Sequence, residues 1–249
     1  QFTIYEKPVD SVQYLAINRD NRLLRREGAR RAISLALDRD SYTAGALSQY
    51  FMSTSTLAWE TSAYEGEDLP TYDVEEAKKL LMDVRQEMGD PSLKLRLPVL
   101  KGNQIHEELA RQIKKDLEKA GFLVDVQELN QGDYVQQVYM LGNYDLLIMS
   151  TGGWENYSSY ERLLTDNNGL LTSSASDDVN EAINKLETSY DQKTVTENLK
   201  EANTVLNRLA PVIPITRQKE FTAISADMKN YRMTRYDPFI NNVYDIRVK

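Results

Sequence analysis

The chain has 249 residues, 41% hydrophobic and 27% charged, which suits one large globular domain or two small ones with an ample core. Thirty lysines and arginines against 38 acidic residues leave a net charge of −8, opposed to the basic field that phosphate backbones require, so no nucleic-acid partner is expected. The absence of cysteine excludes disulfides, thiolate metal sites and cysteine nucleophiles, and no run of about 18 apolar residues is present to span a membrane. The start, residues 1–4, lacks the basic-then-apolar pattern of an export signal, so a mature or truncated chain is expected. The one histidine, His106, narrows the chemistry further. A Ser-His-Asp relay would have to use it, yet no G-x-S-x-G elbow accompanies it, and no P-loop, G-x-G-x-x-G, H-E-x-x-H or EF-hand spacing occurs. No catalytic residues, cofactor or metal site are therefore expected.

In chain order, residues 11–18 are β-prone and apolar and predict a strand. Residues 21–38 place Leu23, Leu24, Ala29, Ala32, Ile33, Ala36 and Leu37 at helical spacing behind Arg22, Arg25, Arg26, Arg30 and Arg31, an amphipathic helix with a solvated basic face. Asp38 and Asp40 can cap a short helix over 42–47. Residues 48–71 have no sustained period and carry Tyr50, Phe51, Trp59 and Tyr64, a long structured loop. Asp73-Val74-Glu75-Glu76 opens another helix, closed at Gly89-Asp90-Pro91.

From residue 93 the pattern becomes regular: strand 93–100, helix 103–120 closed by Gly121, strand 122–129, helix 130–141 ended by Gly142, and strand 144–150. This β-α-β-α-β order predicts a parallel sheet whose ligands lie beyond the carboxyl ends of the strands. Two loops lie there. Lys101-Gly102-Asn103-Gln104 leads into a helix N-terminus, whose free N–H groups favour an anionic or carbonyl group. The apolar run 146–149, suited to burial on both faces, delivers Gly152-Gly153 and then Trp154, Glu155, Asn156, Tyr157 and Tyr160, side chains that stack and hydrogen-bond, so a ligand lip or a core-packed surface turn is expected. Residues 177–190 and 194–209 read as helices. Pro211-Val212-Ile213-Pro214-Ile215 reads as an edge or crossing segment, because two prolines cannot donate to a central ladder, and residues 243–248 as the clearest strand of the tail.

The segment Ala29-Arg30-Arg31-Ala32-Ile33-Ser34-Leu35-Ala36-Leu37-Asp38-Arg39 resembles the V-R-Q-A-I-S-x-A-I-D-R stretch of the family 5 extracellular solute-binding proteins, the oligopeptide-binding components of ABC importers. The resemblance continues in order. Tyr72-Asp73 with residues 76–81 is similar to their Y-D-P-E-K-A-K-x-L-L, residues 113–121 to I-Q-x-x-L-K-K-A-G, Tyr144-Asp145 with Gly153-Trp154 to Y-D…G-W, and Pro211-Val212-Ile213-Pro214 to A-P-V-I-P. Each piece alone is weak, but five in order are specific.

The resemblance implies an α/β, type II periplasmic-binding-protein-like lobe with a parallel βαβαβ core and additional helices. The chain would be the carboxyl-terminal lobe of a two-lobed clamp, residues 1–249 forming one ligand-binding unit with about 1–13 and 231–249 as hinge or first-lobe return segments. It implies a non-enzymatic, monomeric, extracytoplasmic protein that binds peptides and serves the membrane permease of an ABC importer, with a possible lipid anchor on the part preceding Gln1. Another small solute (a sugar, a metal chelate, a cationic compound) and a ligand-sensing regulatory domain are the alternatives. In the oligopeptide branch the G-W loop touches the ligand and the acidic residue of W-x-x-D-Y holds the peptide amine. Here Trp154-Glu155-Asn156-Tyr157 is one residue shorter with Asn156 before the tyrosine, which moves that role to Glu155 or to neutral hydrogen bonds. A histidine near the start of the helix matching His106 can face the cleft in that branch. The implied ligand-binding set is Asn103, His106, Gly153, Trp154, Glu155, Asn156 and Tyr157.

Overall fold

Alternation along β1 (Phe2–Ile17) sends Leu15 and Ile17 to one face of a sheet and Val12, Tyr14 and Ala16 to the other, all buried to within about 1% of full exclusion. The strand is longer than its sequence pattern suggests, because its amino-terminal half is polar on one face yet still pairs. The computed structural model describes residues 1–44, 47–55, 57, 70–89, 91–151, 177–232 and 243–248. β1 is flanked by β5 (Leu146–Thr151) and β6 (Val212–Ser225), both antiparallel to it, and β2 (Phe51–Ser53) adds to the outer edge of β6, giving the order β2-β6-β1-β5. β3 (Lys94–Leu100) and β4 (Leu123–Leu129) pair in parallel. The Asp145 N–H donates to the Arg96 carbonyl at 3.0 Å, so β5 lies beside β3 on the edge away from β4 and joins the two ladders.

Helices cover both faces. On one, α1 (Glu27–Ala36), α3 (Val74–Met88) and α4 (Gln104–Ala120) press Ala29, Ile33, Leu81, Val84, Leu109, Ile113 and Leu117 onto Leu15, Ile17, Leu95, Leu97, Leu146 and Ile148. On the other, α6 (Asp177–Glu187) and α7 (Gln192–Leu209) bring Ile183, Leu186, Leu199, Ala202 and Leu206 against Tyr14, Ala16, Leu147 and Val212. Each fully excluded leucine contributes about 1.5–3 kcal/mol of transfer free energy. β5 is buried on both faces, as its unbroken apolar run predicts.

Helix ends follow the sequence signals. The Asp73 carboxylate accepts the Glu76 N–H at 2.9 Å, and α4 stops where Gly121 takes φ 105°, a left-handed position that a side chain would strain. α5 (Gln131–Tyr134) opens on Asn130 and continues as a π-helical turn, Val135–Met140. Asp38 caps α2 (Arg39–Tyr42) through the Ser41 N–H, but that helix ends at Tyr42 instead of running through 47.

Three sequence expectations are corrected. Arg30 does not belong to the solvated basic face: it is 5% exposed, with Nε donating to the Leu209 carbonyl at 2.8 Å and Nη1 to those of Leu24 and Arg25, so helix position places it inward and carbonyls satisfy it. Pro214 sits in an inner strand, not at an edge. The register jumps there from Gln13 opposite Thr216 to Tyr14 opposite Pro214, and among the described residues β2 pairs no further than Thr54 beside Ile215, so the proline occupies an irregularity that needs no ladder donor. Its carbonyl accepts from Arg39 Nε at 2.8 Å. In the tail, residues 243–245 form a 3-10 turn that leaves Tyr244 88% exposed, and among the described residues of 243–248 β8 (Arg247–Val248) alone is paired, with β7 (Met228–Lys229).

Candidate ligand-binding site

The core face of the sheet is apolar in successive rows, Leu146–Ile17 and then Ile148–Leu15–Ile213, and turns polar in the next. That row runs Ser150, Gln13, Thr216, Ser53 across four strands. It lies at the carboxyl ends of β3 and β5, below the first turn of α4. Gln13 is 6% exposed and Thr216 fully buried, both at the inward position of strands that otherwise put aliphatic side chains there.

His106 Nε2 lies 3.2 Å from Gln13 Oε1. With the amide oxygen as acceptor, the imidazole carries its proton on Nε2 and keeps Nδ1 as a lone-pair acceptor. Burial pushes the His106 pKa below its ordinary value, so the ring is neutral at physiological pH. Among the described residues the Gln13 amide nitrogen and the Thr216 hydroxyl have no hydrogen-bond partner, leaving unspent donor capacity beside a neutral histidine.

The α4 start is held from within. Asn103 Oδ1 accepts the His106 N–H at 3.2 Å and its own N–H bonds to the Leu100 carbonyl, while Lys101 N–H reaches Leu129 O at 2.8 Å and ties the loop to the end of β4. Gly102, at φ 91°, gives its N–H to Glu107 Oε1 at 2.7 Å. A carboxylate therefore already stands at the positive end of the helix dipole, and the site favours carbonyl, amide or hydroxyl groups over a free anion. Of the sequence-predicted residues, Asn103 and His106 come together here. Gly153, Trp154, Glu155, Asn156 and Tyr157 lie outside the described residues, on the segment that continues from Thr151 at the same end of β5.

Sequence reading missed Gln13, Thr216 and Ser150. The available signal was a break in period: in Gln13, Leu15, Ile17 the inward positions of one strand pass from aliphatic to amide, and Ile148 to Ser150 repeats the change on its neighbour.

Comparison with known proteins identifies the fold. Solved structures share the fold across nearly the whole chain, including the Bacillus subtilis oligopeptide-binding protein AppA in complex with a nonapeptide (TM-score 0.76, 15% identity, 100% of this chain and 52% of that one). NikZ from Campylobacter jejuni in complex with Ni(L-His) matches at TM-score 0.78 and 17% identity over 100% of this chain and 54% of that one. DppA from Helicobacter pylori in complex with the peptide STSA matches at 0.76 and 16% over 99% and 49%. The fold is thus the type II periplasmic-binding-protein one, and the chain spans about half the length of the structures it matches. No curated protein sequence matches it. Residues 1–171 match the model of the bacterial extracellular solute-binding proteins, family 5 middle region, and the chain belongs to that family.

Proposed function

We propose that the chain is the carboxyl-terminal lobe of the solute-binding component of an ABC importer, and that it captures peptides without catalysis. The observation that carries the peptide reading is the polar row at the carboxyl ends of the strands: Gln13 and the neutral His106 beside the capped start of α4, donors and acceptors without fixed charge. Peptide backbones present alternating N–H and C=O groups, and a neutral site recognises them independently of side-chain sequence. Gly153, Trp154, Glu155, Asn156 and Tyr157 form the lip over this row in the same reading, with Asn103 and His106 on its floor. Glu155 or neutral hydrogen bonds take the peptide amine. The membrane permease is the partner, the protein works outside the cytoplasm as a monomer, and a lipid anchor lies on its other part.

The amino-terminal half of β1 supports the hinge assignment of residues 1–13, and residues 231–249 are the return segment in the same reading. Beyond a register break between Pro8 and Val12, β1 and β6 run on as a two-stranded ribbon, and Phe2 and Ile4 on it are 72% and 67% exposed. In this reading they meet the first lobe. Calorimetry of the full-length protein against a mixed peptide library tests the assignment, with Gln13→Leu as the variant. Micromolar or tighter binding, weakened in the variant and much weaker in the isolated lobe, is the expected result. Absence of peptide binding by the full-length protein would sink the reading.

A second solute class has one observation in its favour, the free Nδ1 of His106. Among the described residues no three metal-ligating side chains come together, so a metal would have to arrive already chelated and take His106 as one added ligand. Nickel–histidine binding abolished by His106→Gln identifies this case.

A further inference from the structure

The parallel pair β3–β4 has two faces, and only one is fully covered. α4 packs the face of Leu95, Leu97 and Val124, while α5 reaches the opposite face near the carboxyl ends of the strands. The amino-terminal half of that second face stays open. Its outward side chains, Lys94 and Arg96 on β3 and Asp125 and Gln127 on β4, line a cavity of about 670 Å3 closed by Asn21, Arg22 and Asp145. The cavity stands at the end of the strands remote from Asn103 and His106, and solute capture leaves it unused.

Its charges are not balanced alike. Asp145 is 4% exposed and saturated, accepting the Arg96 N–H at 2.7 Å, Arg96 Nε at 3.0 Å, Arg96 Nη2 at 3.1 Å and Asn21 Nδ2 at 2.9 Å. Arg96 still has Nη1 uncommitted. Lys94 holds Asp125 at 3.2 Å in an exposed pair that solvent screens, and Gln127 Nε2 also donates to Asp125. Arg22, exposed at the rim, makes no ion pair or side-chain hydrogen bond among the described residues. Three cations against two carboxylates, one of them buried and fully engaged, leave an excess of positive charge in a concavity of a chain whose net charge is −8.

We propose that this cavity is an accessory site for a multiply charged phosphate group, held by Arg22 and the free edge of Arg96, with Lys94 turning from Asp125 to the ligand. A guanidinium pair with an adjacent ammonium matches the tetrahedral oxygens of phosphate, and the cavity is larger than one phosphate, so it accommodates a pyrophosphate or a phosphate ester.

The test titrates the full-length protein with inorganic pyrophosphate at constant ionic strength by calorimetry. One saturable site is expected, weakened about tenfold or more in Arg22→Gln and tightened several-fold in Asp125→Asn, which frees Lys94. Both positions are on the surface, and unchanged thermal unfolding of the variants excludes a folding effect. Peptide affinity is expected to be the same in Arg22→Gln and the parent, which separates this site from the solute cleft. Cosedimentation with phosphatidylglycerol vesicles that depends on Arg22 identifies a lipid headgroup as the source, whereas binding in solution alone identifies a soluble phosphate compound. No pyrophosphate binding by the parent, binding indifferent to Arg22→Gln, or weaker binding in Asp125→Asn each overturns the proposal.

Discussion

The strands β3, β4 and β5 are finished differently at their two ends. At the amino ends, Asp145, Arg96, Asn21, Lys94 and Asp125 make charge-assisted bonds that stitch four chain segments together. At the carboxyl ends, Gln13, Thr216, Ser150, Asn103 and His106 carry no net charge, and some of their hydrogen-bonding capacity is unspent. Committed ions fix geometry, and uncommitted neutral groups stay available to an arriving molecule. The strands are therefore tied together by ion pairs at one end and edged by neutral side chains at the other.

The comparison breaks first at Asp145. Asp145→Ala strands the Arg96 backbone N–H and guanidinium at once, and a loss of about 3 kcal/mol in urea unfolding is expected, with peptide affinity of the folded full-length protein little changed. A loss under about 1 kcal/mol would show that the network is decoration. Burial alone would raise the Asp145 pKa, but the bonds from Arg96 and Asn21 outweigh it and hold the carboxyl below the usual range. A depressed folded pKa adds stability above the unfolded value of about 4, lost as pH falls through the folded one, so acid unfolding begins below about pH 4 and is blunted in Asp145→Asn.

Gln13→Leu probes the other end. An apolar side chain in place of a partly unsatisfied amide leaves stability within about 1 kcal/mol of the parent, while peptide affinity drops about tenfold, or about 1.4 kcal/mol. A large stability loss with affinity intact would exchange the roles of the two ends.

Asn103→Ala removes the α4 cap and costs about 1 kcal/mol of stability, read by thermal unfolding. Asn103→Asp restores the cap, and if it weakens peptide binding nonetheless, the loop's role in capture is separated from its role in the helix. The smallest effect is titration of His106. Because burial lowers its folded pKa, the folded protein resists the proton, so its contribution to stability is complete above about pH 6.5 and declines as pH falls. Solute affinity should decline over the same window, as protonation removes the Nδ1 acceptor, and His106→Gln should flatten it.

Elements with a strong period were legible in the sequence, among them α3, α4 and the strands β3 to β5, because apolar spacing and caps such as Asp73 and Gly121 act locally. Arg30 and Arg39 were not. Burying a guanidinium depends on carbonyls far along the chain, at Leu209 and Pro214, which no window contains. Burial draws both down to about 10, so each stays charged at neutral pH, held by hydrogen bonds to carbonyls with Glu27 favouring the charge on Arg30 and Asp40 that on Arg39. At the candidate site, the helix start that carries Asn103 and His106 was legible because it is a local event, whereas the row of Gln13, Thr216 and Ser150 forms across strands that sequence reasoning cannot yet align.

The central position of β1 sets the order of assembly. Leu15 finds its neighbours only when Ile148 and Ile213 have been made, so β1 waits for strands more than 130 residues further along the chain. Contacts of such long sequence separation make folding slow and keep β1 without its partners while synthesis proceeds. A nascent chain of this lobe therefore keeps the β6 side of β1 unpaired until β6 is complete.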